Sequence, residues 1–302
     1  MRRPELSPAD LSRPGLNLVE RCDFNHPCPT GARLPASRIW DFLRQYPLPE
    51  EVGRGWDTLE PHYAKTLLAL LYDASAETPA LEGLFTRHIL PGLARRDHVL
   101  DIGSGRGRLV GLFRPFPRIT LVERDAVSLL DLRQRVAALR LPATILELDY
   151  HQLSADQRPC DLHTFTHSIY YFHEDWGTLA RTAFDSLNPG GSLVFTLNGD
   201  EGSAANLVDS LAHLGIAGLN QLDIEGFIAA CARIDGARIR VYRLPCRIHH
   251  QDQPEFMVHM ARIFLEDLCT PIPTAVVRSE MQRRGHALEF VDKVIEVRRE
   301  VA

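Results

Sequence analysis

Lysine is almost missing from this chain of 302 residues: Lys65 and Lys293 are the only two among 34 basic residues. So strong a preference for arginine fits a GC-rich, bacterial coding sequence better than a selected basic surface. No basic stripe stands out, and the formal net charge is -5, which disfavours nucleic acid as a partner. No run of about 18 apolar residues occurs, so nothing is expected to span a bilayer. Arg2 and Arg3 have no apolar stretch behind them, unlike a signal peptide, and a cytoplasmic protein is expected. The six cysteines are scattered. Cys22, His26 and Cys28 offer three ligands with no fourth nearby, so free thiols are expected there and no metal. There is no internal repeat and no low-complexity segment.

What is present falls into two textures. Residues 1 to about 36 are rich in proline, arginine and polar residues without a steady period, and predict an irregular arm. Ser37 caps a predicted short helix with Ile39, Trp40, Phe42, Leu43 and Tyr46. Asp57 and Glu60 stand at capping-box spacing before a second helix, and Thr78-Pro79 opens a third that ends near Pro91. From His98 strands and helices alternate. Strands are predicted at Val99–Ile102, Ile119–Val122, Thr144–Leu148, Leu162–Phe165 and Ser192–Leu197. Helices fall near Leu109, over Ser128–Leu139 and over Leu179–Leu187. Helices near 204–213 and 222–232 lead to a sixth strand, Arg238–Tyr242. Two more, Pro254–Leu268 and Thr274–Arg284, precede a last strand, Phe290–Val297. The pattern predicts an α/β fold: a doubly wound, seven-stranded, mostly parallel sheet. Its divisions are an N-terminal arm and helices over 1–92 and an α/β unit over 93–302, with a helical insertion at about 252–285.

The stretch Val99-Leu100-Asp101-Ile102-Gly103-Ser104-Gly105-Arg106-Gly107-Arg108-Leu109 carries the functional argument. A strand ends in an acid, three glycines alternate, and a helix is expected to begin. Glycine permits a sharp turn and close approach of a ligand. In an open parallel sheet, ligands sit beyond the carboxyl ends of the strands. The dinucleotide fingerprint G-x-G-x-x-G/A is broken by Arg108. Asp101 would sit badly beside a pyrophosphate and suits a ligand that bears an ammonium group.

Over roughly Val99 to Asp200 the sequence resembles the class I S-adenosylmethionine (SAM)-dependent methyltransferases, whose first motif has this acid and these glycines. The resemblance implies the Rossmann-like fold of that family and SAM as cofactor. It makes Asp101, Gly103, Ser104, Gly105 and Gly107 candidate cofactor contacts. Glu123 ends the second strand, where the family's acid takes both ribose hydroxyls, and Arg124 and Ser128 beside it are further candidates. Asp149, with Tyr150 next to it, matches the acid often used on the adenine amine. Asp161 opens the fourth strand, whose end at Thr166-His167-Ser168 faces the methyl donor. Asn188-Pro189-Gly190-Gly191 matches the loop before the fifth strand, and Phe290–Val297 is placed to be the reversed last strand.

The run His167-Ser168-Ile169-Tyr170-Tyr171-Phe172-His173-Glu174 lies at the carboxyl end of the fourth strand, where catalytic groups point. Its paired tyrosines, and the late segment from Glu255 to Cys269, are similar to histamine N-methyltransferase and its relatives. In those enzymes the residue matching His167 contacts substrate and is an amide, and the tyrosines wall the pocket. Aromatic faces stabilise a sulfonium, which makes Tyr170 and Tyr171 candidates. An amine nucleophile must lose a proton, for which His167 is the first candidate base and His173 or Glu174 the second. Pro29 to Pro35, with Trp40 and Phe42, would form a lid. Three readings follow: methyl transfer to a small-molecule acceptor in specialised metabolism, with nitrogen ahead of oxygen or carbon; intramolecular cyclisation of SAM to azetidine-2-carboxylate and methylthioadenosine; and a non-catalytic SAM-binding protein.

Overall fold

A central parallel strand is covered on both faces, and all five residues of His98–Ile102 are buried. A computed structural model of the chain describes residues 19–24, 35–48, 51–52, 61–154, 158–172, 175–199, 201–213, 223–250, 252–264 and 272–301. The strands of its main sheet are β1 (Val19–Asp23), β2 (His98–Ile102), β3 (Arg118–Val122), β4 (Ala143–Leu146), β5 (Cys160–Thr166), β6 (Leu187–Asn198), β7 (Ala237–His249) and β8 (Ala287–Arg299). They lie in the order β1-β7-β8-β6-β5-β2-β3-β4. All neighbours are parallel except β8, which runs antiparallel to both β6 and β7. Chain order reverses between β2 and β5, so the ligand crevice of this doubly wound sheet lies beyond their carboxyl ends.

The helices are α1 (Ala36–Gln45), α2 (Pro61–Ala74), α3 (Glu77–Leu84), α4 (Ala126–Leu139), α5 (Trp176–Asp185), α6 (Ser203–His213), α7 (Ile224–Ala232), α8 (Pro254–Ile263) and α9 (Thr274–Arg283). Alternation along the strands sends side chains to two cores. Val99, Val194 and Val294 pack with Tyr63, Leu67, Leu81 and Met257 beneath α2, α3 and α8. Leu100, Phe195 and Ile295 face the other way, against Leu179, Phe227 and Ile228 of α5 and α7. The first face is not purely apolar: Asp101, Thr164, Thr196 and Asp292 are buried on it.

Among the described residues the main sheet has eight strands rather than the seven expected. The extra one, β1, comes from the segment read as an irregular arm, and it pairs in parallel with β7. A backbone ladder from Val19 to Asp23 holds it there, with exposed ion pairs alongside. Glu20 meets Arg240 at 2.8 Å and Arg238 at 3.3 Å, and Arg21 meets Glu225. The helix expected near Leu109 is only a 3-10 turn, Val110–Phe113. Asn188 to Gly191, matched to the loop before the fifth strand, sits inside β6, whose pairing with β5 shifts register there. Asp57 and Glu60, residues 29–34 of the Pro29–Pro35 segment, His26 and Cys28 lie outside the described residues. No described helix is long and apolar enough to cross a membrane.

Candidate active site

At the switch point two loops meet, and the meeting explains the first glycine. Gly103 has φ +68°, and a Cβ there would lie 2.4 Å from Cβ of Ser168 in the loop after β5. The Ser168 hydroxyl in turn donates to the Ile102 carbonyl at 2.7 Å. Only glycine fits both the left-handed turn and the contact. The turn is fastened by an acid from the next strand. Glu123 Oε2 accepts from the Gly105 amide at 2.7 Å, and Oε1 from the Asp125 amide at 2.8 Å. Each of these oxygens keeps a lone pair.

Around this turn opens a cavity of about 730 Å³, within the range of cofactor sites. Most of the expected cofactor residues line it: Asp101, Gly103, Ser104 and Gly105 from the turn, Glu123, Arg124 and Ser128 after β3, Asp149 and Tyr150 after β4, and Thr166 after β5. Asp101 accepts from the Thr164 hydroxyl at 2.5 Å. Burial pushes its carboxyl up, an effect the Thr164 hydroxyl opposes. Arg124 reaches Asp149 at 3.1 Å. Gly107 does not line the cavity: its φ is +75°, and a Cβ there would lie 2.7 Å from Leu132 of α4. With no α-helix after the turn, there is no helix N-terminus for a pyrophosphate.

His167 and Tyr171 also line the cavity, and Tyr171 is half exposed. Tyr170 does not line the cavity but stands behind His167, its hydroxyl accepting from the Asn198 amide at 2.5 Å. His173 and Glu174 lie outside the described residues. His167 has φ +52°, a conformation that costs a non-glycine residue about 1–2 kcal/mol. Its Nε2 lies 2.9 Å from Glu77 Oε1 and 3.8 Å from Asp292 Oδ2, and its Nδ1 lies 3.5 Å from the Tyr170 hydroxyl. A carboxylate on Nε2 assigns the proton to that nitrogen and leaves the lone pair on Nδ1.

Four residues of this neighbourhood escape the sequence reading: Tyr72, Glu77, Arg108 and Asp292. Arg108 stacks on Tyr72 at 3.7 Å and donates through Nη2 to Glu77 at 2.7 Å. Burial pushes the Glu77 carboxyl up, but Arg108 and His167 outweigh it and hold the group down at about 2. Asp292 is fully buried and neither of its oxygens has a hydrogen-bond partner. Burial raises its carboxyl well above the usual range; Glu77 adds to the rise and Arg108 opposes it. Glu77, His167 and Asp292 each present one donor atom within 4.8 Å of the others. A signal for Asp292 existed in the sequence: an acid breaks the apolar run of the last strand.

The residues present fit SAM. Asp101 suits its ammonium and Glu123 its ribose hydroxyls. Arg108 Nη1, a buried donor without a partner at the cavity wall, suits its carboxylate.

A family model described as a methyltransferase domain matches residues 72–236, more than half of the chain. No curated protein sequence matches. Among solved structures, the plantazolicin methyltransferase BpumL in complex with S-adenosylhomocysteine (SAH) is 12% identical, with 81% of this chain and 93% of that chain covered and a TM-score of 0.49. The YcgJ protein from Bacillus subtilis is 14% identical over 73% of this chain and 98% of its own, with a TM-score of 0.47. The glycopeptide N-methyltransferase MtfA with SAM is 24% identical over 42% of this chain and 56% of its own, with a TM-score of 0.35. None of these three likenesses bears on the substrate of this chain.

Proposed function

The chain belongs to the SAM-dependent methyltransferases, and from that premise we propose that it methylates a nitrogen of a small-molecule acceptor, with His167 receiving the nitrogen's proton. The observation that supports this most is His167 itself. It stands at the cavity wall in a costly backbone conformation, its Nε2–H held by Glu77 and its Nδ1 lone pair engaged only at 3.5 Å. Strain of this kind persists where surrounding structure over-determines it, and it concentrates at functional sites.

SAM supplies a methyl group already activated by a sulfonium leaving group. The protein is left to align the acceptor, exclude water and take up a proton. Gly103 and Gly105 let the backbone approach the cofactor, while Asp101 and Glu123 fix its two ends. Tyr72 and Tyr171 give the His167 side of the cavity aromatic walls. Such walls, backed by the acid Glu77, suit a nitrogen that gains positive charge as its new bond forms. The same argument favours an amine over a phenol.

The test is to incubate purified protein with SAM, alone and with panels of small amines and phenols, and to analyse the products by mass spectrometry. SAH formed together with a methylated amine is the expected result. Methylated phenols alone would move the assignment to oxygen. Methylthioadenosine formed without any acceptor would replace methyl transfer by cyclisation.

A further inference from the structure

Behind the cavity wall, Glu77, His167, Arg108 and Asp292 form a buried set of charges that does not balance by itself. With both acids ionised and His167 neutral, two negative charges face the single positive charge of Arg108. Desolvated charge is costly unless compensated, so the set calls for one more unit of positive charge. A divalent ion in the Glu77–His167–Asp292 triangle would overshoot, leaving a net positive charge beside Arg108. An acceptor ammonium has the right charge, but its nitrogen must shed that proton before it can take a methyl group, so it does not supply the charge in the reacting state. A proton has both the right charge and a path, since His167 lies in the cavity wall and its Nε2 is 3.8 Å from Asp292.

On the reading that this cavity holds SAM, we infer that Asp292 and His167 share one exchangeable proton that is expelled when the sulfonium binds and regained when methyl transfer removes the sulfonium charge. Asp292 is thus a positioning residue, acting on the reaction through His167. With the cavity empty, the proton neutralises the set, in keeping with the raised carboxyl of Asp292. A sulfonium at the wall supplies the missing positive charge instead, and the proton leaves to solvent. As the acceptor nitrogen bonds to the methyl carbon, the carbon–sulfur bond breaks with its electron pair on sulfur. Positive charge passes to nitrogen, whose proton moves to His167 Nδ1. The set is then neutral again beside an uncharged thioether.

The groups that face Asp292 and His167 are few. Glu77 comes from α3, Tyr72 from α2, Arg108 from the turn after β2, and Tyr170 and Tyr171 from the loop after β5. Asp101 acts at one remove, through Arg108. Lys293, next in sequence to Asp292, pairs with Glu201 instead. Tyr72 is held neutral by burial, which pushes its hydroxyl up, an effect that Arg108 opposes and that Glu77, Tyr171 and Asp292 reinforce. Within the set, Asp292 and His167 are therefore the groups that exchange the proton.

The experiment needs no acceptor. Titration calorimetry of the full-length protein at pH 7, in buffers of different ionisation enthalpy, counts the protons released on binding SAM and on binding SAH. The same measurement on Asp292→Asn gives the baseline for the nucleosides' own amines. The wild type is expected to release about one proton more with SAM than with SAH. Its SAM affinity should rise with pH by up to about tenfold per unit while its SAH affinity stays flat. Asp292→Asn should lose both differences. Equal proton counts in a wild type that binds both nucleosides would overturn this inference alone, as would a difference that survives in Asp292→Asn or stoichiometric divalent metal in the purified protein. Failure to bind either nucleoside would overturn the reading of the cavity and this inference together.

Discussion

Replacing Gly103 by alanine probes the crevice at its tightest point. Two costs add. At φ +68° an alanine pays about 1–2 kcal/mol that glycine does not. Its Cβ would also sit 2.4 Å from Cβ of Ser168, and overpacking of this kind costs about 1–3 kcal/mol. Gly103→Ala should therefore lose about 2–5 kcal/mol of stability, read from urea unfolding with an unchanged slope. The two terms can be separated. Adding Ser168→Gly removes the clashing carbon and should return the overpacking share. It also removes the hydroxyl that donates to the Ile102 carbonyl at 2.7 Å, a bond worth about 0.5–1.5 kcal/mol. The double variant should be more stable than Gly103→Ala and less stable than wild type, with SAM affinity moving in the same order. A Gly103→Ala variant within about 0.5 kcal/mol of wild type, the scatter of an ordinary surface change, would refute the geometry. So would costs that simply add in the double variant.

Glu123→Ala removes two charge-assisted hydrogen bonds to ribose at about 1.5–3 kcal/mol each, so SAM affinity should fall by about 10²–10⁴ in calorimetry; unchanged affinity would misplace the cofactor. His167→Asn keeps a residue that tolerates the left-handed backbone. It should lower kcat by about 10²–10⁴ once an acceptor is in hand, with SAM affinity changed far less; an active Asn variant would remove His167 as the base. Acid should unfold the protein partly through His163 and His259, which burial holds near about 3. Both stay neutral in the fold and take up protons when unfolded. Stability is thus complete above their ordinary value of about 6.5 and falls below it by up to about 1.4 kcal/mol per pH unit for each. His163→Leu should flatten that slope in urea titrations at pH 4 to 6, and an unchanged slope would contradict the assignment.

The sheet was legible in the sequence because its strands β2, β3, β5 and β6 each carry short apolar stretches between turn signals, and because β8 carries another near the end. The cofactor side of the cavity was legible for a related reason. Asp101, Gly103 and Glu123 each sit at a strand end, where local spacing already fixes position. The acceptor side was not. Glu77 lies 90 residues from His167 along the chain, and Asp292 lies on the last strand, so only the sheet order brings them together. Glu77 has no local signature and reads as a first-turn helix acid; Asp292 shows as an acid that breaks the apolar run of the last strand, which does not name its partners. Arg108 was read for what it breaks, the dinucleotide fingerprint, and not for the ion pair it makes. Strand β1 was missed because the residues VERCD show no apolar alternation, and its backbone ladder to β7 leaves no mark in the local sequence.

The most direct measurement is a crystal structure of the full-length protein grown with SAH. Density for the nucleoside should run along the turn from Gly103, with the ribose hydroxyls on Glu123, the ammonium toward Asp101 and the carboxylate on Arg108. Density that leaves this crevice empty while the nucleoside binds elsewhere, or that reverses the nucleoside so that adenine lies on Asp101, would contradict the account.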